Sequence, residues 1–75
     1  MELEELLTTL KMLDYNYYNV KLINENMMTF LINQEITNLQ FIFSKYQNIH
    51  CKFAKLKNLS NDTVYCVVIT RDEDL

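Results

Sequence analysis

The chain contains no glycine, no proline and no tryptophan among its 75 residues. At average usage, roughly nine glycines and prolines would be expected in a chain this long. Without glycine there is no Gly-rich phosphate cradle of the usual form, and the turns must be built from other residues. Asparagine is the next most tolerant of left-handed backbone geometry, and nine asparagines are present. Alanine and arginine occur once each, against six lysines. Asn, Lys, Ile, Tyr and Phe have AT-rich codons, whereas Gly, Pro, Ala and most Arg codons are GC-rich. The composition therefore points to an AT-rich genome, as in low-GC bacteria, their phages, and some eukaryotic viruses and parasites.

Reactive residues are equally sparse. Two cysteines are too few for a four-ligand cysteine site, and there is one histidine. His50 and Cys51 are neighbours in sequence, so on a strand they face opposite ways and form no nucleophile–base pair. No metal set, phosphate loop or carboxylate pair in a cleft can be recognised. The expectation is a protein with no catalytic residues, no metal and no cofactor, hence not an enzyme. Apolar runs are only a few residues long, far short of the roughly 20 that span a membrane. Glu2, Glu4 and Glu5 are unlike the positive start of a secretory signal. A cytoplasmic protein is expected (in the host cytoplasm if phage-encoded), with Cys51 and Cys66 reduced and buried.

What the chain does have is apolar bulk. Hydrophobic residues make up 49% and aromatic residues 12%, which argues for one folded domain over residues 1–75 rather than for disorder. Domains of this size bury only about 60% of their unfolded surface, so the core must be thin. The net charge of −3 argues against non-specific nucleic-acid binding, which rests on basic patches. The charge is uneven, with Glu2, Glu4, Glu5 and Asp14 at the front and Asp72, Glu73 and Asp74 at the back. Lys45, Lys52, Lys55 and Lys57 lie between.

Periodicity divides the chain into four units. Leu3, Leu6, Leu7, Leu10 and Leu13 form one apolar stripe, predicting a helix over residues 1–14 with Met12 opposite it. YYNVKLI and MMTFLI read as strands around the turn Asn24-Glu25-Asn26, with Asn26 as its left-handed residue. That register sets Tyr18, Val20 and Leu22 against Ile32, Phe30 and Met28 as the core face. Asn33 reads as an N-cap for a second helix, QEITNLQFIFSKY, whose stripe is Ile36, Leu39, Ile42, Phe43 and Tyr46. Phe41 points away from that stripe. A second hairpin, IHCKFAKLK and TVYCVVITR, closes through Asn58-Leu59-Ser60-Asn61. A four-residue loop sets Phe53 opposite Cys66 and Cys51 opposite Val68, with Ile49 and Val64 on the same face. His50, Lys52, Ala54, Leu56, Tyr65, Val67 and Ile69 then share a face too apolar for open solvent. DEDL, residues 72–75, reads as a frayed acidic tail.

The predicted fold is α+β, helix–hairpin–helix–hairpin (αββαββ), with one mostly antiparallel four-stranded sheet packed by two helices. The functional expectation is a small acidic interaction protein that binds a larger host protein, in its finer form a nucleic-acid-binding one. A phage- or mobile-element-encoded inhibitor of the anti-CRISPR or anti-restriction class fits this description. Phe41 is its predicted anchor, with Tyr15 and Tyr17 as secondary contacts, because aromatic rings bring large contact area at low rotamer cost. Tyr65, on the mixed sheet face, and the acidic Asp72, Glu73 and Asp74 complete the predicted partner-binding set. One alternative is a homodimer or higher homo-oligomer buried through that mixed face. Another is a nucleic-acid-binding module using Lys45, Lys52, Lys55 and Lys57, which the net charge disfavours.

Overall fold

Helix α1, Leu3–Met12, buries Leu3, Leu6 and Leu10 along one face, with Glu4 and Glu5 in the first turn and Lys11 in the last. Those charges oppose the partial charges of the helix ends. The computed structural model describes residues 3–34, 37–43, 46 and 48–72, with backbone alone at 37, 38 and 40. After α1 come β1 (Tyr17–Asn24), β2 (Met27–Ile32), the seven-residue α2 (Thr37–Phe43), β3 (Ile49–Lys57) and β4 (Thr63–Arg71). The molecule is a small α+β domain, and its four strands form one antiparallel sheet in the order β1-β2-β4-β3.

The missing glycines are replaced by Asx residues. Among the described residues, positive φ occurs at Asp14, Asn19, Asn48 and Asn61, whose short polar side chains tolerate that region. Asp14 ends α1. Its N–H donates to the Lys11 carbonyl (3.1 Å) and the Tyr15 N–H to the Leu10 carbonyl (3.0 Å), the paired bonds of a Schellman cap. The chain turns there, so Leu13, expected on the buried stripe, is exposed instead. Met12 is exposed, as its position opposite the stripe requires.

The first hairpin departs from the predicted register. Its turn is the two residues Glu25-Asn26, neither with positive φ, and the Asn24 side chain accepts the Asn26 N–H at 2.7 Å. Leu22 does pair with Met28, but Tyr17, not Tyr18, pairs with Ile32. Two irregularities in β1, between Tyr18 and Lys21 and between Leu22 and Asn24, take up the difference. The left-handed residue expected at Asn26 is found at Asn19, inside the first of these bulges. A bulge shifts side-chain alternation by one position, so Tyr18 leaves the core face that its parity predicted. Val20 and Leu22, predicted core residues, are exposed as well.

The second hairpin is also one residue out of the predicted phase. Its loop is five residues, Asn58–Asp62, and Phe53 pairs with Val67, Cys51 with Ile69 and Ala54 with Cys66. The Asn58 side-chain oxygen accepts the N–H groups of Ser60 and Asp62, and Asn61 takes the left-handed position. Because strand side chains alternate with period two, this slip exchanges the faces of β4. Tyr65, Val67 and Ile69, predicted on the mixed outer face, line the core. Cys66, Val68 and Val64 take the opposite face. The two cysteines therefore lie on opposite sides of the sheet.

The core is a single cluster uniting Leu3, Leu6 and Leu10 of α1 with Leu39 and Phe43 of α2 and one sheet face, led by Met28, Phe30, Ile32, Val67 and Ile69. We call the other sheet face, which contributes nothing to that cluster, the open face. Phe43 is 1% exposed and Phe41 65%, in keeping with their angular separation on a helix. Asn33 accepts the Tyr18 hydroxyl (2.8 Å), and the amides it was expected to cap, at 35 and 36, lie outside the described residues. Glu35 and Ile36 of the predicted second helix, with Ser44 and Lys45, fall outside the described residues.

Truncating a buried phenylalanine typically costs about 3–5 kcal/mol, and domains this small have about 5 kcal/mol to lose. Phe43→Ala should leave much of the chain unfolded in urea titrations, while Phe41→Ala should shift stability by under about 1 kcal/mol. At the α1 cap, Asp14→Gly should hold or raise the melting temperature. Asp14→Val should lower stability by more than about 1 kcal/mol, because a β-branched residue resists positive φ.

Candidate protein-binding face

The open face can be read row by row from the strand pairing. One row is Tyr18, Leu31, Cys66 and Ala54; the next is Lys21, Thr29, Val68 and Lys52. Leu56 opposite Val64 extends the apolar part toward the Asn58–Asp62 loop, and Met27, Thr70 and His50 close the other end. Aliphatic residues thus hold the middle, and the lysines stand on the two edge strands.

Tyr18 is the tyrosine among the described residues of this face. It is 37% exposed, and its hydroxyl donates to Asn33 at 2.8 Å. The ring is therefore held from its polar end before any partner arrives, which lowers the entropy of using it as a contact. Beside it lies a hollow of about 380 Å³, lined by Tyr18, Asn19, Leu31, Leu56, Lys57, Asn58 and Val64. Val64 is only 4% exposed. A smaller hollow of about 140 Å³ adjoins the Asn19 bulge, between Lys21, Thr29, Leu31 and Cys66. The sequence placed His50, Lys52, Ala54 and Leu56 together on a face too apolar for open solvent, but the β4 slip and the β1 bulge hid which β4 and β1 residues join them. Tyr18, Leu31, Val64 and Cys66 were not singled out as contacts, although the Asn19 side chain beside two tyrosines is the kind of residue that marks a bulge.

The predicted contact residues are dispersed. Phe41 lies on the outer side of α2. Tyr15, the residue after the α1 cap, is half-buried against the core, where a residue at that position usually packs back on its helix. Tyr17 is also half-buried there, edge-on to Phe30 with ring centroids 5.9 Å apart. Tyr65 belongs to the same core side, since Ile32 pairs with Tyr17 on one flank and Tyr65 on the other. Asp72, read as the start of a frayed tail, is tied down twice. Its N–H donates to the Asn48 carbonyl at 2.8 Å, and its carboxylate meets the His50 ring at 2.9 Å. Glu73 and Asp74 lie outside the described residues.

At the same end of the sheet as Asp72, Arg71 clasps the first turn. Its N–H donates to the Asn26 carbonyl, and its guanidinium to the Glu25 carbonyl and the Asn26 side chain. A hollow of about 510 Å³ beside it is lined by backbone-rich turn residues from Asn24 to Met27 and by Thr70 to Asp72. Among the described residues, no three His, Cys, Asp or Glu side chains gather to hold a metal ion. None of the described helices is long and apolar enough to cross a membrane.

Both cysteines are free thiols. Burial pushes the Cys51 thiol up from 9.0 to about 11. The native state therefore holds this proton more tightly than the unfolded chain, and its contribution to stability is full below pH 9 and lost between pH 9 and 11. Alkylation of native Cys51 by iodoacetamide should be slow at pH 8 and rise about tenfold per pH unit toward pH 10, because only the thiolate reacts. Denatured protein purified without reductant should titrate as two thiols, and a monomer mass two units low would contradict the opposed faces.

Comparison of the chain with protein-family models, with curated proteins and with solved structures finds no match.

Proposed function

We propose that this chain is a small non-enzymatic interaction protein that binds a larger protein through the open face of its sheet. The observation that carries this reading is the apolar middle of that face, formed by Leu31, Ala54, Leu56 and Val68 around the buried Val64, with Tyr18 fixed beside them. A sheet face meant only for water usually alternates to polar residues, and contiguous apolar surface of this kind marks interaction sites. Phe41, on the helical side, is a second contact, reached by a partner large enough to wrap the domain. In its finer form the reading is a phage- or mobile-element-encoded inhibitor of a host nucleic-acid-processing or defence protein. The AT-rich composition and the net negative charge support that form. Carboxylates away from the open face, such as Glu4 and Glu5 of α1, can occupy the basic site that a nucleic-acid-binding target keeps for phosphate.

Site-specific photo-crosslinking in the source cells tests the reading. A crosslinker at Ala54, on the open face, should capture one discrete larger protein, and the same group at Thr8, on the exposed side of α1, should not. Leu31→Asn should reduce the Ala54 product by about tenfold or more, as loss of an interface anchor does. Equal capture from both positions would remove the open face from the proposal.

A further inference from the structure

The open face has a charge pattern as well as an apolar middle. The chain carries ten carboxylate residues against seven lysines and arginines, yet no strand position on this face is acidic. The row Lys21, Thr29, Val68, Lys52 places a lysine at each end, on the two edge strands. The nearest described carboxylates lie beyond its ends, Glu25 and Asp72 on one side and Asp62 in the second hairpin loop on the other, and the His50 ring engages Asp72 at 2.9 Å. An acidic protein thus presents, on one side, a lysine-edged sheet face with no carboxylate among its described strand positions.

Resting on the proposed function above, we infer that the open face takes an amphipathic helix of the partner whose apolar stripe is flanked by carboxylates. Neighbouring strands lie about 4.8 Å apart, so the two lysines of that row stand roughly 14 Å apart at the backbone. A helix with its side chains is about 10–12 Å across. It fits between them along the sheet, its apolar stripe on Leu31 and Val68 and its flanks within reach of Lys21 and Lys52. The same packing already exists on the opposite face, where α1 and α2 lie on Phe30 and Val67.

Charge also separates this occupant from the others. A second copy of the chain, face to face, would bring two sets of Lys21 and Lys52 together with no carboxylate between them, and like charges so placed repel. Single-stranded nucleic acid would meet the lysines but not the middle. Such strands stack on rows of aromatic side chains, and here the middle is aliphatic with one ring whose hydroxyl is engaged.

The test uses the full 15N-labelled chain and two synthetic 18-residue amphipathic peptides. They share a leucine stripe and differ only in its flanks, glutamate in one and lysine in the other. The glutamate peptide should shift the amide signals of Leu31, Cys66 and Val68, and bind at least about tenfold more tightly than its lysine twin in about 50 mM salt. The preference should shrink several-fold near 500 mM salt, as screening shortens the reach of the lysines. The double variant Lys21→Glu/Lys52→Glu, two exposed positions that leave the core untouched, should invert the preference. No binding by the glutamate peptide, or equal binding by both, overturns the inference. If Ala54 crosslinking still captures a partner in that case, the broader interaction reading stands alone. Tighter binding of oligothymidylate than of the glutamate peptide would assign the face to nucleic acid instead. Self-association at 100 μM through the same amides would assign it to a second copy.

Discussion

The pairing of β2 with β4 is the constraint on which the rest of the molecule depends. Six consecutive residues of β2, Met27–Ile32, meet Thr70–Tyr65 of β4 without a break. In that phase Phe30 faces Val67 and Met28 faces Ile69, and all four are shielded from solvent. β4 is nearly apolar on each side, so its alternation alone does not say which set belongs inside. The helices decide it by covering one face. Shifting β4 by one residue would send Val64, Cys66 and Val68 under the helices and expel Tyr65, Val67 and Ile69. The open face is thus the complement of the core choice.

The lack of glycine has shaped the connections between these elements. Asp14 reverses the chain after α1, Asn48 precedes β3, and Asn61 closes the second hairpin, each at positive φ. Their side chains, or those of neighbours, then tie the connections down. Gln34 reaches across from the β2–α2 connection, accepting the Asn16 N–H at 2.9 Å and donating to the Asp14 carbonyl at 3.3 Å. Asparagine costs more than glycine in left-handed geometry but brings an amide that bonds its surroundings. The tyrosine cluster falls into place beside it. Tyr15 follows the cap, Tyr17 enters the core and Tyr18 turns outward to Asn33, so three adjoining rings serve three different surroundings.

Strong periodicity was legible in the sequence. The leucine stripe located α1, and the 3.6-residue spacing separated Phe43 from Phe41. The alternation of Met28, Phe30 and Ile32 identified the buried side of β2. An α+β domain with an antiparallel four-stranded sheet followed from those patterns. What failed was phase. The Asn19 bulge moved Tyr18 off the core face, and a five-residue loop in place of four reversed β4 relative to β3. Both errors have one origin: β1 and β4 carry apolar residues on both parities, so hydrophobicity could not reveal a one-residue shift. The candidate site inherited the mistake, because Tyr65 was assigned to the face that Val64, Cys66 and Val68 occupy. Phe41, whose position depends on helix geometry alone, came out exposed as read.

The two edges of the sheet differ, and the difference limits how copies of this molecule can assemble strand to strand. β1 is broken by two irregularities along its eight residues, whereas β3 pairs with β4 in unbroken register over nine. A bulged edge is a poor template for another strand, and a regular one is a better template, guarded here by Lys52, Lys55 and Lys57. Open-ended native fibrils grown by edge addition need two competent edges on every subunit. This molecule has one. Any union through β3 would close on itself as a two-fold pair with both remaining edges blunted, so polymerisation ends at the first step.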